Sequence, residues 1–256
     1  MLSSSKSFLA LATASCLALV GCGGGGGGGT PALGPTAEGI YGGTLVGSTS
    51  SNFQMLVLEN DEFWTMYGTQ TSSVFFVAGF LQGTGVSNSG SYSSSNVRDF
   101  GFNPALAGTA SATYNATAKT ISGSVAASAG TVTFNGGPIA GSLYNYNTAA
   151  LLSSVSGAWP LTSLTGEGIS LNVSSTGAFT AISSLGCSFS GTIVPRPSGK
   201  NVFNVSMSFG SSPCVLAEQP ASGIAIVYPL ATGRTQLIFA GTNTGRTIGT
   251  AAFGTR

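Results

Sequence analysis

With 256 residues, 42% of them hydrophobic and only 6% charged, the chain has enough apolar side chains to build a core, and its 39 glycines follow no collagen-like period. Eight basic residues against seven acidic ones give a formal charge of +1, which falls to zero without Lys6. So neutral a chain releases few phosphate counterions, which argues against a nucleic-acid partner. It contains no histidine, which removes the commonest general base and metal ligand, and with them Ser-His-Asp, Cys-His and most zinc chemistry.

Lys6 and an apolar run of about 13 residues, Phe8 to Val20, open the chain. The run fits a leader's hydrophobic region and is short of the roughly 20 residues that span a bilayer. Leu19-Val20-Gly21-Cys22 ends it and resembles the lipobox of bacterial lipoproteins. That resemblance implies a signal peptide over 1–21, diacylglycerol on the Cys22 sulfur, cleavage before it, and a membrane as partner through the lipid. Cys16 would leave with the leader. Gly23 in place of an aspartate implies the outer membrane, facing the periplasm or the surface. Gly23 to Pro35 has almost no side chains to pack, and residues 22–36 are expected to form a disordered tether with an end-to-end distance of roughly 20 Å. A phosphate-cradling reading of the glycines needs a preceding strand, a following helix and Lys-Ser or Lys-Thr, none of which the sequence supplies.

From Gly39 onward, β-branched and aromatic runs alternate with Gly, Asn, Asp and Ser. Strands are predicted at about 39–46, 53–59, 62–69, 73–84, 97–102, 109–116, 120–127 and 130–135. A less regular segment, 136–156, includes a helical turn or two between Leu143 and Val155. Further strands are predicted at about 157–163, 168–174, 178–184, 187–194, 201–209, 221–228, 234–241 and 246–253. Spacing near ten residues predicts an all-β fold of two similar, small antiparallel meander barrels of about eight strands each, over 37–150 and 151–256. If 136–156 merely joins them, a fragment beginning near Leu151 should fold alone. Three stretches suggest an internal duplication: Gly39-Ile40-Tyr41 answers Gly157-Ala158-Trp159, Leu56 to Trp64 answers Leu171 to Phe179, and Leu81 to Thr84 answers Phe189 to Thr192.

The order of lipobox, glycine tether and meander barrels, with the strand pair Ala110 to Val125, resembles transferrin-binding-protein-type surface lipoproteins. The Gly-x-Trp at Gly157 is similar to the opening of lipocalin-like barrels. Neither resemblance carries a ligand-binding residue across to this sequence.

Glu59, Asp61 and Glu62 form an acidic cluster around Asn60, where a tight hairpin needs Asn or Asp, and are read as a solvated turn rather than a calcium site. Glu38, Asp99, Glu167 and Glu218 are isolated, so paired-carboxylate catalysis has no visible basis. No Gly-x-Ser-x-Gly elbow is present, Gly83-Thr84-Gly85 lacks a third glycine, and no pattern asks for a metal or cofactor. The aromatics Phe63, Trp64, Tyr67, Phe75, Phe76 and Phe80 are read as barrel core, with a cavity wall for a small apolar or sugar ligand as the alternative.

Cys187 and Cys214 remain in an exported chain, where two leftover cysteines pair. A turn at Pro195 to Lys200 sets position 187 opposite roughly 208, and Gly210 to Pro213 can fold back to bring Cys214 within reach. The expectation is therefore a non-catalytic, membrane-anchored envelope lipoprotein serving as a binding or surface-interaction module. A purely structural envelope component is the alternative, and a carboxylate-dependent hydrolase a remote one.

Overall fold

A computed structural model describes residues 35–71, 74–139, 141–230 and 232–256. The strands are β1 (Gly39–Val46), β2 (Asn52–Val57), β3 (Glu62–Gln70), β4 (Phe75–Thr84), β5 (Val86–Asn88), β6 (Ser91–Asp99), β7 (Leu106–Asn115), β8 (Thr120–Ala127) and β9 (Gly130–Gly137). A short helix, α1 (Leu152–Val155), precedes β10 (Gly157–Ser163), β11 (Gly168–Val173), β12 (Ala178–Ser183), β13 (Ser188–Pro195), β14 (Phe203–Phe209), β15 (Pro220–Pro229), β16 (Thr235–Asn243) and β17 (Gly249–Thr255).

Two closed, eight-stranded antiparallel barrels result. In the first, β1 pairs with β2 and β9, and the ring closes between β4 and β6, with β5 an extra strip on β6. The closing seam is narrow: Leu81 faces Asp99 and Gln82 faces Arg98. β10 to β17 close the second ring in chain order. Inward positions are apolar and outward ones polar, as in β11 and β12, where Ile169, Leu171, Val173, Phe179 and Ala181 are buried between exposed Ser170, Asn172 and Thr180. Membrane barrels show the reverse pattern.

Both interiors are filled. Tyr41, Phe53, Val57, Phe63, Tyr92 and Ile121 pack the first, while Trp159, Leu171, Phe179, Phe203, Met207 and Phe239 are among those that pack the second. The barrels open on the same local device. Tyr41 donates its hydroxyl to the Ala37 carbonyl four residues earlier at 2.6 Å, and Trp159 donates its indole N–H to Val155, also four residues earlier, at 2.7 Å. In both cases a ring fully inside the barrel has its polar tip satisfied by the chain that caps the barrel end. The correspondence continues in β4 and β13. A Cβ at Gly83 would sit 2.7 Å from the Phe63 ring and one at Gly191 3.0 Å from the Phe179 ring, so each glycine makes room for its cross-strand phenylalanine. The two glycines match in the sequence alignment of 81–84 with 189–192, whereas that of 56–64 with 171–179 sets Trp64, not Phe63, against Phe179.

Several sequence expectations shift. The strand predicted at 97–102 runs from Ser91 to Asp99, because Tyr92, Ser94 and Val97 turn inward across a bulge that the serine-rich run Ser93-Ser94-Ser95 conceals. The β2–β3 turn places Asp61 at φ 60° and leaves Glu59 and Asn60 exposed, while Asp61 itself is half-buried. Asp61 accepts hydrogen bonds from the Ser87 amide at 3.0 Å and the Ser87 hydroxyl at 2.6 Å, which fastens β5 to the barrel end.

The aromatic cluster also divides. Phe63 lies inside barrel 1, whereas Trp64, Phe75 and Phe80 lie in a separate apolar layer between the barrels, joined by Leu56 and Leu58 from barrel 1, Tyr144 and Tyr146 from the connecting segment, and Ile224, Ile226, Ile238 and Phe253 from barrel 2. Tyr67 reaches Asp99 at 2.7 Å, and the half-exposed Phe76 meets Phe253 edge-on. Runs such as Ile224 to Tyr228 and Gln236 to Thr242 lose their alternation because both faces are covered.

Candidate functional site

Because the barrels are filled, a ligand needs room outside them. A cleft of about 430 Å³ lies between the barrels, within the size range of small-molecule sites. Barrel 1 contributes Thr44 from the end of β1, Asn52 and Gln54 from β2, and Gln70 and Thr71 from the far end of β3. The connecting segment adds Ile139 and Ser142, and barrel 2 adds Tyr228, Thr232 and Gln236 from around the β15–β16 turn. No charged side chain among the described residues lines it.

Its polar groups form a chain of amides. The Gln70 amide N–H donates to Asn52 Oδ1 at 3.1 Å, Gln54 Nε2 donates to Gln70 Oε1 at 3.4 Å, and Gln70 Nε2 donates to the Thr71 carbonyl at 2.7 Å. Across the cleft, the buried Gln236 donates to the Phe75 carbonyl at 3.1 Å. Tyr228 stacks on Tyr144 with rings 9° from parallel, and burial raises its hydroxyl pKa, a hydrogen bond with Ser142 pulling the other way. Gln54 Oε1 has no hydrogen-bond partner although it is fully covered, a costly state for a buried acceptor. The Gln54 side chain stands between the cleft and an apolar void of about 20 Å³ walled by Ile40, Leu56, Trp64, Ile224 and Ile238.

The cleft has a defined place along barrel 1. Thr44 pairs with Asn52 and Gln70 with Phe75, at one end of the barrel. Pro35 lies at the other end, where Tyr114 donates to its carbonyl at 2.6 Å and Ala37 donates to the Ser87 hydroxyl at 2.9 Å. The described chain therefore begins, at Pro35, at the end opposite the cleft.

A second cavity, about 230 Å³, sits at the mouth of barrel 2, walled by Phe100, Phe102, Phe189, Phe209 and Val215 with Glu167 at its edge. Cys187 and Cys214 lie here, bonded to each other with α-carbons 4.7 Å apart. The hairpin register differs from the predicted one: Pro195 faces Phe203, so the loop extends through Val202 and position 187 falls beyond the last pair, Phe189 with Phe209. The disulfide therefore holds the loop after β14 against the chain entering β13, where Gly210 also donates to the Ser188 carbonyl at 2.9 Å. Tying a loop of this length contributes on the order of 3.5 kcal/mol in the chain-entropy picture.

The clustered carboxylates, and the isolated Glu38, each have a separate structural partner. Glu59 pairs with Arg196 and Glu38 with Lys200, both at 2.8 Å and both from barrel 1 to barrel 2. Glu62 accepts from the Trp64 indole at 2.9 Å and from Gln82 at 3.2 Å. Among the described residues, no three His, Cys, Asp or Glu side chains group as metal ligands would. Cys22, the expected lipid attachment site, lies outside the described residues, as do the expected signal peptide and most of the glycine tether. The cleft residues went unpredicted, for they are neutral amides and hydroxyls spread from position 44 to 236. The visible signal was indirect: Asn52, Gln54 and Gln70 occupy otherwise β-forming runs.

The fold and the cleft define a class: an all-β protein of two filled barrels with an uncharged cleft of mixed polar and apolar lining between them. No protein-family model matches the chain, and no curated protein matches it in sequence. Among solved structures, it is similar to a DUF3598-family protein of unknown function from Nostoc punctiforme, at 10% identity and a TM-score of 0.26, over 85% of this chain and 93% of that one.

Proposed function

We propose that this chain is a non-catalytic binding module of the bacterial envelope, anchored through lipid on Cys22, and that its ligand enters the cleft between the barrels. The observation that carries the binding reading is the cleft: about 430 Å³, lined by hydrogen-bonding groups, and opening at the end of barrel 1 opposite Pro35. A tether at Pro35 would direct that end away from the anchoring surface. The non-catalytic reading is supported by the missing histidine and by the carboxylates Glu38, Glu59, Asp61 and Glu62, whose oxygens are taken up in structural contacts. The filled barrel interiors favour a second reading, a purely structural envelope component.

Two measurements on the full chain, purified from membranes, test this. In detergent-phase partitioning the wild-type chain should follow the detergent and Cys22→Ser should not, since acyl burial is worth about 0.8 kcal/mol per methylene. Equal partitioning of the two removes the anchor. In native mass spectrometry a small molecule should remain on the wild type and be missing from Thr232→Trp, whose indole fills the cleft from an exposed position. A chain that carries no small molecule and folds identically with Trp at position 232 supports the structural component instead.

A further inference from the structure

We infer that the cleft takes a neutral, polyhydroxylated ligand, a short saccharide segment; this rests on the cleft being the binding site. The chemistry of the walls selects the class by elimination and then by fit. An anionic ligand would need cationic side chains and a cation would need carboxylates, and neither lines the cleft among the described residues. An extended peptide recognised by strand addition needs an open sheet edge, and the strands that line the cleft, β1, β2, β3, β15 and β16, are each paired on both sides. Phe53, Ile139, Pro229 and Leu230 give the cleft apolar wall beside its amides, but a wholly apolar ligand would desolvate Gln54 and Gln70 without offering them partners, at a cost of the order of 1–3 kcal/mol each.

A saccharide removes that cost. A side-chain amide offers one acceptor and two N–H donors in a plane, and each hydroxyl of a vicinal pair both donates and accepts. Gln70 spends one N–H on the Thr71 carbonyl and one lone pair on Gln54, and keeps a second of each. Gln54 Oε1 is the acceptor whose partner the protein does not supply, on a side chain that lines the cleft, and turning its amide toward a ligand gives up only the long 3.4 Å bond from Gln54 Nε2 to Gln70. A hydroxyl donated there relieves a buried unsatisfied group, so bound ligand gains more from Gln54 than an exposed amide would give. The hydroxyls of Thr44, Ser142 and Thr232 extend the same pattern across both barrels.

The test uses the full chain in detergent against an array of neutral and anionic oligosaccharides, with the dye 8-anilinonaphthalene-1-sulfonate as an apolar probe. Neutral oligosaccharides should bind, insensitive to added salt. Gln70→Leu and Gln54→Met should each weaken binding at least about tenfold, the equivalent of one hydrogen bond to ligand. Gln54→Met should keep or raise the melting temperature, because it deletes an unsatisfied acceptor; a residue with a merely structural role would lower it. Thr232→Trp should abolish binding. Preference for anionic glycans that salt weakens, or dye binding that Thr232→Trp blocks in a chain that binds no glycan, overturns the saccharide assignment and leaves the cleft as the binding site. If neither sugar nor dye responds to Thr232→Trp, the saccharide assignment and the cleft reading both fall.

Discussion

Tyr41 and Tyr92 are wholly enclosed in barrel 1, and Tyr144 and Tyr146 are nearly so between the barrels. Desolvation raises the hydroxyl pKa of all four, that of Tyr41 to about 12, and nearby carboxylates add to it: Glu38 at Tyr41 and Tyr146, Asp61 at Tyr92. Tyr67 is raised in the same way, with Asp99 reinforcing the effect. The unfolded chain releases these protons near pH 10, and the folded chain holds them. Their contribution is therefore complete below pH 10 and is lost as pH rises from 10 through the folded values, for Tyr41 to about 12, at up to about 1.4 kcal/mol per pH unit for each tyrosine. Alkaline titration should show tyrosinate absorbance appearing in one cooperative step together with loss of β-sheet circular dichroism. Gradual ionisation near pH 10 with the fold intact would mean that the hydroxyls reach solvent in the native state.

At the scale of elements, the weak point is the β4–β6 seam, and barrel 2 supplies its fastening. Arg246, in the β16–β17 turn, donates to Gln82 Oε1 at 2.6 Å and to the carbonyls of Gln82 and Asn96 at 2.8 Å, so one guanidinium spans the strands that close barrel 1. Burial and the neighbouring Arg98 lower its pKa, a cost offset by hydrogen bonds in a planar fork that lysine cannot reproduce. Arg246→Met should destabilise by about 1–3 kcal/mol, and hydrogen exchange should accelerate in β4 and β6 while β11 and β12 stay protected. Uniform acceleration in both barrels would contradict this role.

The same scale explains what could be read from the sequence. β1, β8 and β10 fall on their predicted bounds and β11 and β12 within a residue of them, and in β10 to β12 one covered face gives the strict alternation that marks them. β5 and the first half of β6 were not legible, since Ser91 to Asn96 has no β-branched residue and is held as strand by Tyr92 and by pairing with β7. The disulfide could be derived from counting, and its register could not, because loop length between β13 and β14 decides it. The cleft was invisible: Gln54 and Gln236 become neighbours of one space only when two barrels pack.

For the whole molecule, the decisive feature is the apolar layer between the barrels. No strand pairs across it, so the two sheets are separate. Yet Ile224, Ile226, Tyr228, Ile238 and Phe253 would all face water if barrel 2 stood alone, at about 1.5–3 kcal/mol for each large side chain, on a contiguous patch of the kind that drives association. A fragment starting near Leu151 should therefore be expressed as aggregates or oligomers. Co-expression with residues 35–150 should recover a soluble complex. A monodisperse, monomeric fragment with native-like circular dichroism would show that the layer contributes little, and that the expectation of independent folding is the better one.

The position of β1 bears on what happens under load. It is paired on one side with β2 and on the other with β9, Pro35, the first described residue, lies beyond its Gly39 end, and the cleft lies at its Thr44 end. A pull applied at Pro35 and resisted at the cleft runs lengthwise along this strand. Antiparallel backbone hydrogen bonds stand perpendicular to the strand axis, so such a force shears all of them together instead of unzipping them one by one. Barrel 1 thus meets a pull along the line joining its Pro35 end to its cleft in shear, and an atomic-force pull between those points should meet a higher rupture force than one applied across the β1–β9 pair.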